Sequence, residues 1–337
     1  MEKVLITGGT GFLGINLANY LLENGYYVFC VDYEDFFGRE NYINVIYRDN
    51  VSFIYANLLN KDLSDHMPKD IDYVIHLAAL PHVDYSRFFP QKTLYNNMMA
   101  LMNILNYVVA NDSEFIFTSS VEIYGGSNNQ TYSEKDDLQP LSVYGYTKQA
   151  GEEMVRYYIN KYKVRSTIVR LTNLYGPLQL PDRVIPRNIC RLIGNHSVDL
   201  TQNFYRDFLY VEDACGMINS LLTHDKKGEV YNLSTGKAYS MQEAIKEILS
   251  CFKNKDIEEN NRDFLKETRG RYLLIENKKI NTIYPHQCDF KESLRSTIEW
   301  YIAHPEWVNQ FEKYYSKQRV DETFVIDHDN LGVRINL

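Results

Sequence analysis

Tyr144 and Lys148, four residues apart in "SVYGYTKQAGEEMVRYYINKYK", are the pair best placed for acid–base chemistry in this sequence. The segment has a strong helical pattern, which sets residues i and i+4 on one face. A phenol releases its proton at roughly pH 10 in water, and a neighbouring cation favours the phenolate. Lowering that pKa by about 3 units takes about 4 kcal/mol, within reach of two close cations in a poorly hydrated site. Such a phenolate can take the proton of a substrate hydroxyl while the carbon beneath it is oxidised. Upstream, "FIFTSSVEIYG" ends a buried strand in Thr118, Ser119 and Ser120, with Glu122 just beyond. Hydroxyls there either enter a ligand crevice or simply close a turn, and Y-x-x-x-K alone is more often a packing pair. The elements around them decide.

"KVLIT" reads as a buried strand, "GGTGFLG" as a glycine turn and "INLANYLLENG" as a helix closed by Gly25. That order is the context a dinucleotide-binding glycine motif requires. Gly8 and Gly11 let the backbone turn and approach a pyrophosphate, and Gly14 allows close helix–strand packing. The phosphates then meet the first amides of the helix, around Phe12 and Leu13, at its positive end. The next strand, "YYVFCVD", ends in Asp32, suited to the adenosine ribose hydroxyls and repulsive to a 2′-phosphate, so NAD is favoured over NADP. "VSFIYANLL" ends in Asn57 and Leu58, and "DYVIHLAAL" in Ala78 and Ala79, small enough to leave room for the adenosine. With "FIFTSS" as a further parallel strand, Thr118, Ser119 and Ser120 emerge at the same carboxyl edge, where such sheets bind ligands. An oxidised nicotinamide is the second cation near Tyr144.

Composition sets the outer bounds. The chain has 337 residues, 45% of them apolar and 24% charged, enough for one large domain or two joined ones. A net charge of −8 argues against a general nucleic-acid binder. Cys30, Cys190, Cys215, Cys251 and Cys288 form no C-x-x-C pair, so neither a zinc site nor a disulfide framework is expected, and no metal. A reduced, cytoplasmic protein is the expectation, without a signal peptide or membrane span.

"TGGTGFLG", "HLAA", "TSS", "YGYTK" and "RDFLYVEDA" occur in order over most of the chain. As a set they resemble the extended short-chain dehydrogenase/reductases of the nucleotide-sugar epimerase/dehydratase group. The resemblance implies a doubly wound α/β (Rossmann) fold with a smaller C-terminal lobe for a nucleotide sugar. The expected division is 1–172 for NAD and 173–337 mainly for substrate, with the chain crossing back to the first domain. It also implies a triad of Ser120, Tyr144 and Lys148, with Thr118 against the cofactor and Asn97 bracing the active-site strand and helix. His82 and Ser86 fall in the substrate loop. Asn173 and Arg206 face the nucleotide diphosphate, with either Arg269 or Arg271 as a second cation, and the helices around 93–110 and 146–161 pair with their copies in a homodimer. Asn57 departs from the family's usual Asp, but its amide oxygen can accept the adenine amino group.

The outcome after oxidation at C4 turns on Glu122. It stands where dehydratases and decarboxylases of the group carry their glutamate, but the neighbouring acid's place is Val121, and Ser120 is the residue common in 4-epimerases. Glu122 is therefore either a base for C5 or a ligand for a sugar hydroxyl or an arginine. The reading puts a 4-epimerase first. A C4 dehydrogenase, a 4,6-dehydratase or decarboxylase, and a catalytically idle NAD-binding regulator are the alternatives. "NKDIEENNRD" is expected as a solvated loop, and "DETFVIDHDNLGVRINL" carries no assignment.

Overall fold

Short runs such as "KVLIT" and "FIFTSS" are apolar on both faces, the pattern of strands covered on each side by helices. The computed structural model, which describes residues 1–33, 49–126, 131–201, 204–224, 228–252, 259–262, 272–309, 324–327 and 332–335, shows that arrangement. The chain divides into two compact units. One holds Met1–Leu174, Asp207–Ala238 and Thr268–Gln287; the other holds Tyr175–Arg206, Tyr239–Glu267 and Cys288–Leu337.

The first unit is built on seven parallel strands: β1 (Lys3–Thr7), β2 (Tyr27–Asp32), β3 (Val51–Tyr55), β4 (Tyr73–His76), β5 (Glu114–Ser120), β6 (Ser166–Leu171) and β7 (Val230–Leu233). Their order is β3-β2-β1-β4-β5-β6-β7, the doubly wound sheet expected. The winding reverses between β1 and β4, where Thr7 pairs with His76, and a ligand crevice belongs outside such a reversal.

Five helices matter for the site: α1 (Phe12–Glu23), α2 (Val83–Phe88), α3 (Pro90–Asn111), α4 (Val143–Tyr162) and α5 (Val211–Leu222). Proline at the first position starts α3, where a missing N–H costs nothing, and Asp112 ends it in the left-handed region. Ser142 caps α4 by accepting from Gly145 N at 3.0 Å. Leu101, Ile104, Leu105 and Val108 of α3 and Val155 of α4 are buried in one cluster with Phe115 and Phe117 of β5. Each such side chain contributes about 1.5–3 kcal/mol.

One ion pair is sealed inside this unit. Arg170 of β6 donates from Nε and Nη2 to the two oxygens of Glu152 on α4, at 2.9 and 2.8 Å. Both side chains are buried, at 2% and 0% exposure, so neither charge can turn to water instead.

In the second unit, Val184–Ile193, Met241–Ser250 and Phe290–Ala303 are helices, the middle one opened by a capping box of Ser240 and Glu243. Within "NKDIEENNRD", the described residues 259–262 depart from the loop expected. Glu259–Arg262 is a strand parallel to Val198–Thr201, because backbone pairing overrides the weak strand preference of "ENNR". In the unassigned tail, Phe324–Asp327 and Gly332–Ile335 pair antiparallel.

Removing one partner of the sealed pair strands the other charge. Glu152→Ala is expected to lower unfolding stability by about 3–5 kcal/mol. The double change Glu152→Leu with Arg170→Met is expected to cost clearly less, since it removes both charges. Urea denaturation of the three proteins measures this.

Candidate active site

Three of the four residues of the β1–α1 turn, Gly8, Gly9 and Gly11, carry no side chain. A Cβ on Gly8 would lie 2.9 Å from Ala78 N, and one on Gly14 would strike the Gly8 carbonyl. The N-cap of α1 is Gly11, which offers no side-chain acceptor. Phe12, Leu13 and Gly14 therefore present first-turn amides that lack intrahelical acceptors, at the positive end of the helix.

Asp32 stands beside this turn at the tip of β2. Its Oδ2 accepts from Thr10 N at 3.0 Å and Thr10 Oγ1 at 2.7 Å, and its Oδ1 accepts from Tyr33 N at 2.9 Å. These bonds hold the carboxylate in one orientation, and each oxygen can accept more than one hydrogen bond. Further along the edge, a cavity of about 280 Å³ is lined by Tyr33, Tyr55, Ala56, Asn57 and His66, among others. The Tyr33 and Tyr55 rings stand 5.4 Å apart. Asn57 Oδ1 accepts from Leu59 N at 2.9 Å, and the neighbouring Leu58 is buried in the core. An uncapped helix start, a glycine turn and an oriented strand-end carboxylate fit the pyrophosphate and ribose of a dinucleotide.

Tyr144, Lys148, Thr118 and Ser120 come together at the tip of β5. The Lys148 ammonium is buried and donates to the Thr118 carbonyl at 2.7 Å. It lies 5.9 Å from the centre of the Tyr144 ring and 5.2 Å from that of Phe117. Burial pushes the Lys148 pKa down to about 8. Thr118 Oγ1 donates to the His76 carbonyl at 2.6 Å, tying β5 to β4. Ser120 begins a 3₁₀ turn, Val121–Tyr124, and its Oγ accepts from Glu122 N at 3.2 Å. Glu122 is half-buried on this turn, whereas Val121 packs inward with Ile123, Tyr124, Tyr132, Leu273 and Ile275.

Asn97 of α3 joins two parts of this site. Its Oδ1 accepts from Leu80 N at 2.8 Å, just after Ala78 and Ala79, and its Nδ2 donates to Thr147 Oγ1 at 3.0 Å. Thr147 Oγ1 in turn donates to the Tyr144 carbonyl at 2.7 Å. The loop after β4 and the helix bearing Tyr144 are thus pinned to one amide.

The substrate-loop residues are placed differently from one another. His82 is the N-cap of α2 and half-buried, while Ser86 is fully buried and donates to the Val83 carbonyl at 2.7 Å. In this conformation Ser86 serves its own helix. Asn173 Nδ2 reaches the Asp207 carbonyl at 3.4 Å. Arg206, in the second unit, donates to the Tyr205 carbonyl at 2.8 Å and lies 5.3 Å over the Phe204 ring. Arg269 and Arg271 lie outside the described residues. Among the described residues no group of His, Cys, Asp or Glu side chains is placed to hold a metal ion, and no helix is long and apolar enough to cross a membrane.

Sequence reasoning passed over several groups here. Thr10 sits inside the glycine motif unremarked, Tyr33 follows Asp32, and Tyr55 is paired with it only by the fold. His76 is wholly buried, with Nδ1 2.8 Å from Thr7 Oγ1. Burial, and then the Lys148 charge, push its pKa down to about 3, so its imidazole is neutral.

Dinucleotide-binding geometry and a tyrosine–lysine pair at one sheet edge define a nucleotide-dependent oxidoreductase-like enzyme class. Residues 4–234 match the model of the NAD dependent epimerase/dehydratase family, and the chain belongs to that family. A putative UDP-glucose 4-epimerase of Methanocaldococcus jannaschii is 32% identical over 309 residues, covering 88% of this chain and 97% of the relative. A dTDP-D-glucose 4,6-dehydratase of Bos taurus is 30% identical over 314 residues, covering 89% and 88%. Among solved structures, the UDP-N-acetylglucosamine 4-epimerase of Methanobrevibacter ruminantium superposes with a TM-score of 0.83 at 26% identity, covering 90% of this chain and 99% of the neighbour.

The neutral His76 has a consequence for acid stability. Its folded pKa lies below the unfolded value, so its contribution is present above pH 6.5 and is lost as the pH falls toward 3. Between those limits wild-type stability is expected to fall with pH more steeply than that of His76→Leu, by about 1.4 kcal/mol per pH unit. Urea titrations at pH 6, 5 and 4, roughly spanning that window, provide the comparison.

Proposed function

We propose that this protein is an NAD-dependent enzyme that oxidises a nucleotide-linked sugar at C4 and acts as a 4-epimerase. The observation that carries the epimerase reading is the inward packing of Val121 beside Glu122. Elimination of water from C6 needs a base for C5 and an acid for the departing hydroxyl. Val121 leaves that second place to an alkyl group in an apolar cluster.

NAD, held by the β1–α1 turn and Asp32, would supply the hydride chemistry at C4. Tyr144 takes the C4 hydroxyl proton as a phenolate, with the Lys148 ammonium and the oxidised ring both favouring that form. Ser120 orients the same oxygen, since its Oγ accepts from Glu122 N and keeps its own proton to donate. Asp32 binds the ribose diol in the orientation Thr10 holds, and Asn57 receives the adenine amino group. Glu122 binds a sugar hydroxyl. Arg206 and Asn173 are the phosphate contacts of the nucleotide, an arginine suiting phosphate because its fork donates in parallel.

A 4,6-dehydratase is the second reading, favoured by Glu122 itself, a carboxylate on the turn after Ser120. We also propose a homodimer: Leu94 and Tyr95 of α3 and Tyr146, Tyr157 and Tyr162 of α4 are exposed, and a four-helix bundle with a second copy would cover them. Five free cysteines without a disulfide suit a cytoplasmic setting.

The deciding experiment is incubation of the NAD-bound enzyme with UDP-, dTDP-, GDP- and CDP-hexoses, with products followed by mass and NMR. Epimerisation gives a product of unchanged mass. A product lighter by one water, with solvent deuterium on the sugar and loss of this activity in Glu122→Gln, makes the protein a dehydratase instead. For the epimerase, Glu122→Gln is expected to raise KM and leave much of kcat, because the amide keeps the shape without the basicity. Tyr144→Phe is expected to lower turnover by roughly 10²–10⁴ while calorimetry still shows NAD binding. The same calorimetry is expected to show much weaker binding of NADP, whose 2′-phosphate meets Asp32; equal affinities would remove Asp32 from that role.

A further inference from the structure

Behind Tyr144 and Glu122 lies a buried polar cluster that the proposed chemistry leaves unused. Glu152, on α4, follows Lys148 by four residues and Tyr144 by eight, so it shares the helix that carries the proposed base. Its carboxylate takes the paired donation from Arg170 at 2.9 and 2.8 Å and a third bond from Arg156 at 2.9 Å. The remaining guanidinium nitrogen of Arg170, Nη1, donates to Tyr124 Oη at 2.6 Å and to the Glu134 carbonyl at 3.2 Å. Tyr124 Oη donates onward to Asn232 Oδ1 at 2.8 Å. Tyr124 is the last residue of the 3₁₀ turn that carries Glu122, and its ring stacks on Tyr132 at 5.0 Å.

Arg170 therefore grips two things at once: the helix of Tyr144 through Glu152, and the turn of Glu122 through Tyr124. The two also touch directly. A Cβ on Gly145, next to Tyr144, would lie 2.9 Å from the Glu122 carbonyl, so helix and turn approach as closely as backbones allow there. That contact fixes one point of the turn. Gln139 N also donates to the Ile123 carbonyl at 2.9 Å and the turn's apolar side chains pack in one cluster, while Arg170 adds a charged hold at Tyr124, the far end of the turn. A lysine could not join helix and turn in this way, because a single ammonium lacks the planar fork that meets a carboxylate with two bonds and a phenol with a third.

We propose that Arg170 is a positioning residue for substrate recognition: through Tyr124 it sets the orientation of Glu122 relative to Tyr144. This rests on the proposed role of Glu122 as a sugar ligand. Arg170 touches neither substrate nor cofactor in this assignment. Its effect passes through the turn, and a loosened turn presents Glu122 to the sugar in several orientations instead of one.

The test uses the full chain with NAD bound. Tyr124→Phe removes the hydroxyl that links the turn to both Arg170 and Asn232. Hydrogen–deuterium exchange is expected to accelerate about tenfold or more in a peptide spanning residues 121–125, with α1 and β1 unchanged. With the nucleotide sugar that the enzyme accepts, KM is expected to rise about fivefold or more while kcat stays within about threefold. Added to Glu122→Gln, Tyr124→Phe is expected to have no further effect on KM, because both act through one carboxylate. Arg170→Lys is expected to reproduce these changes, whereas Asn232→Ala, which spares the Arg170 bond to Tyr124, is expected not to; should Arg170→Lys fail to fold, the contrast between Tyr124→Phe and Asn232→Ala carries the test. Unchanged exchange at 121–125, or KM effects that multiply in the double variant, would overturn the proposal. If wild type oxidises none of the nucleotide sugars, the proposed function falls, and the exchange measurement alone decides whether Arg170 orients the turn.

Discussion

The site is organised around one buried charge, the Lys148 ammonium, and the backbone carbonyl that receives it. An amine at this depth is costly, which is why burial lowers its pKa to about 8. The Thr118 carbonyl offsets part of that cost with a bond at 2.7 Å, and Phe117 adds the face of its ring at 5.2 Å. Because the bond runs from α4 to the tip of β5, it also sets how far the helix can slide along the sheet. Tyr144 is one turn back on the same helix, so its place follows from the same contact. The neighbouring His76 fits this arrangement only because it is neutral; a second cation beside Lys148 would repel it.

Parallel strands bring the rest. Each ends at the same edge, so chemistry from β1, β2, β4 and β5 collects there although the residues lie far apart in sequence. What the sheet does not supply is rotation of the loops beyond it. That comes from single polar groups that bond in two directions: Asp32 between Thr10 and Tyr33, Asn97 between Leu80 and Thr147, and Arg170 between Glu152 and Tyr124. A buried polar group that satisfies both neighbours resists displacement from either side, since each broken bond leaves an unpaired atom away from water.

This division explains what could be read from the sequence. Strand tips were legible because apolar runs stop at identifiable residues: Asp32, Ala78, Ser120. The tyrosine–lysine spacing was legible because helical periodicity is local. The glycine turn announced itself by composition. Arg170 and Glu152 are 18 residues apart on different elements, with no shared pattern, and Tyr33 meets Tyr55 only through strand pairing. His76 was read as part of a motif, but its neutrality depends on burial that no local signal carries. "ENNR" misled because its composition favours a loop, while the strand it forms depends on a partner segment near residue 200.

The turn after β5 shows packing and chemistry competing for the same four residues. In a 3₁₀ turn, side chains three apart lie in line, so Val121 and Tyr124 face the same way. That way is inward: Val121 is 3% exposed and Tyr124 is 2%. Position 122 is the one that turns outward enough to meet a ligand. An acid at 121 would have to enter the cluster of Ile123, Tyr132, Leu273 and Ile275, where the phenols of Tyr124 and Tyr132 are the only polar side-chain groups among the cluster's buried members. An apolar cluster of this composition therefore favours valine at 121 on packing grounds alone, and it narrows the reactions open to the turn. One carboxylate can hold a sugar or take a proton, but elimination also needs a donor. In this chain, that donor would have to come from outside the turn.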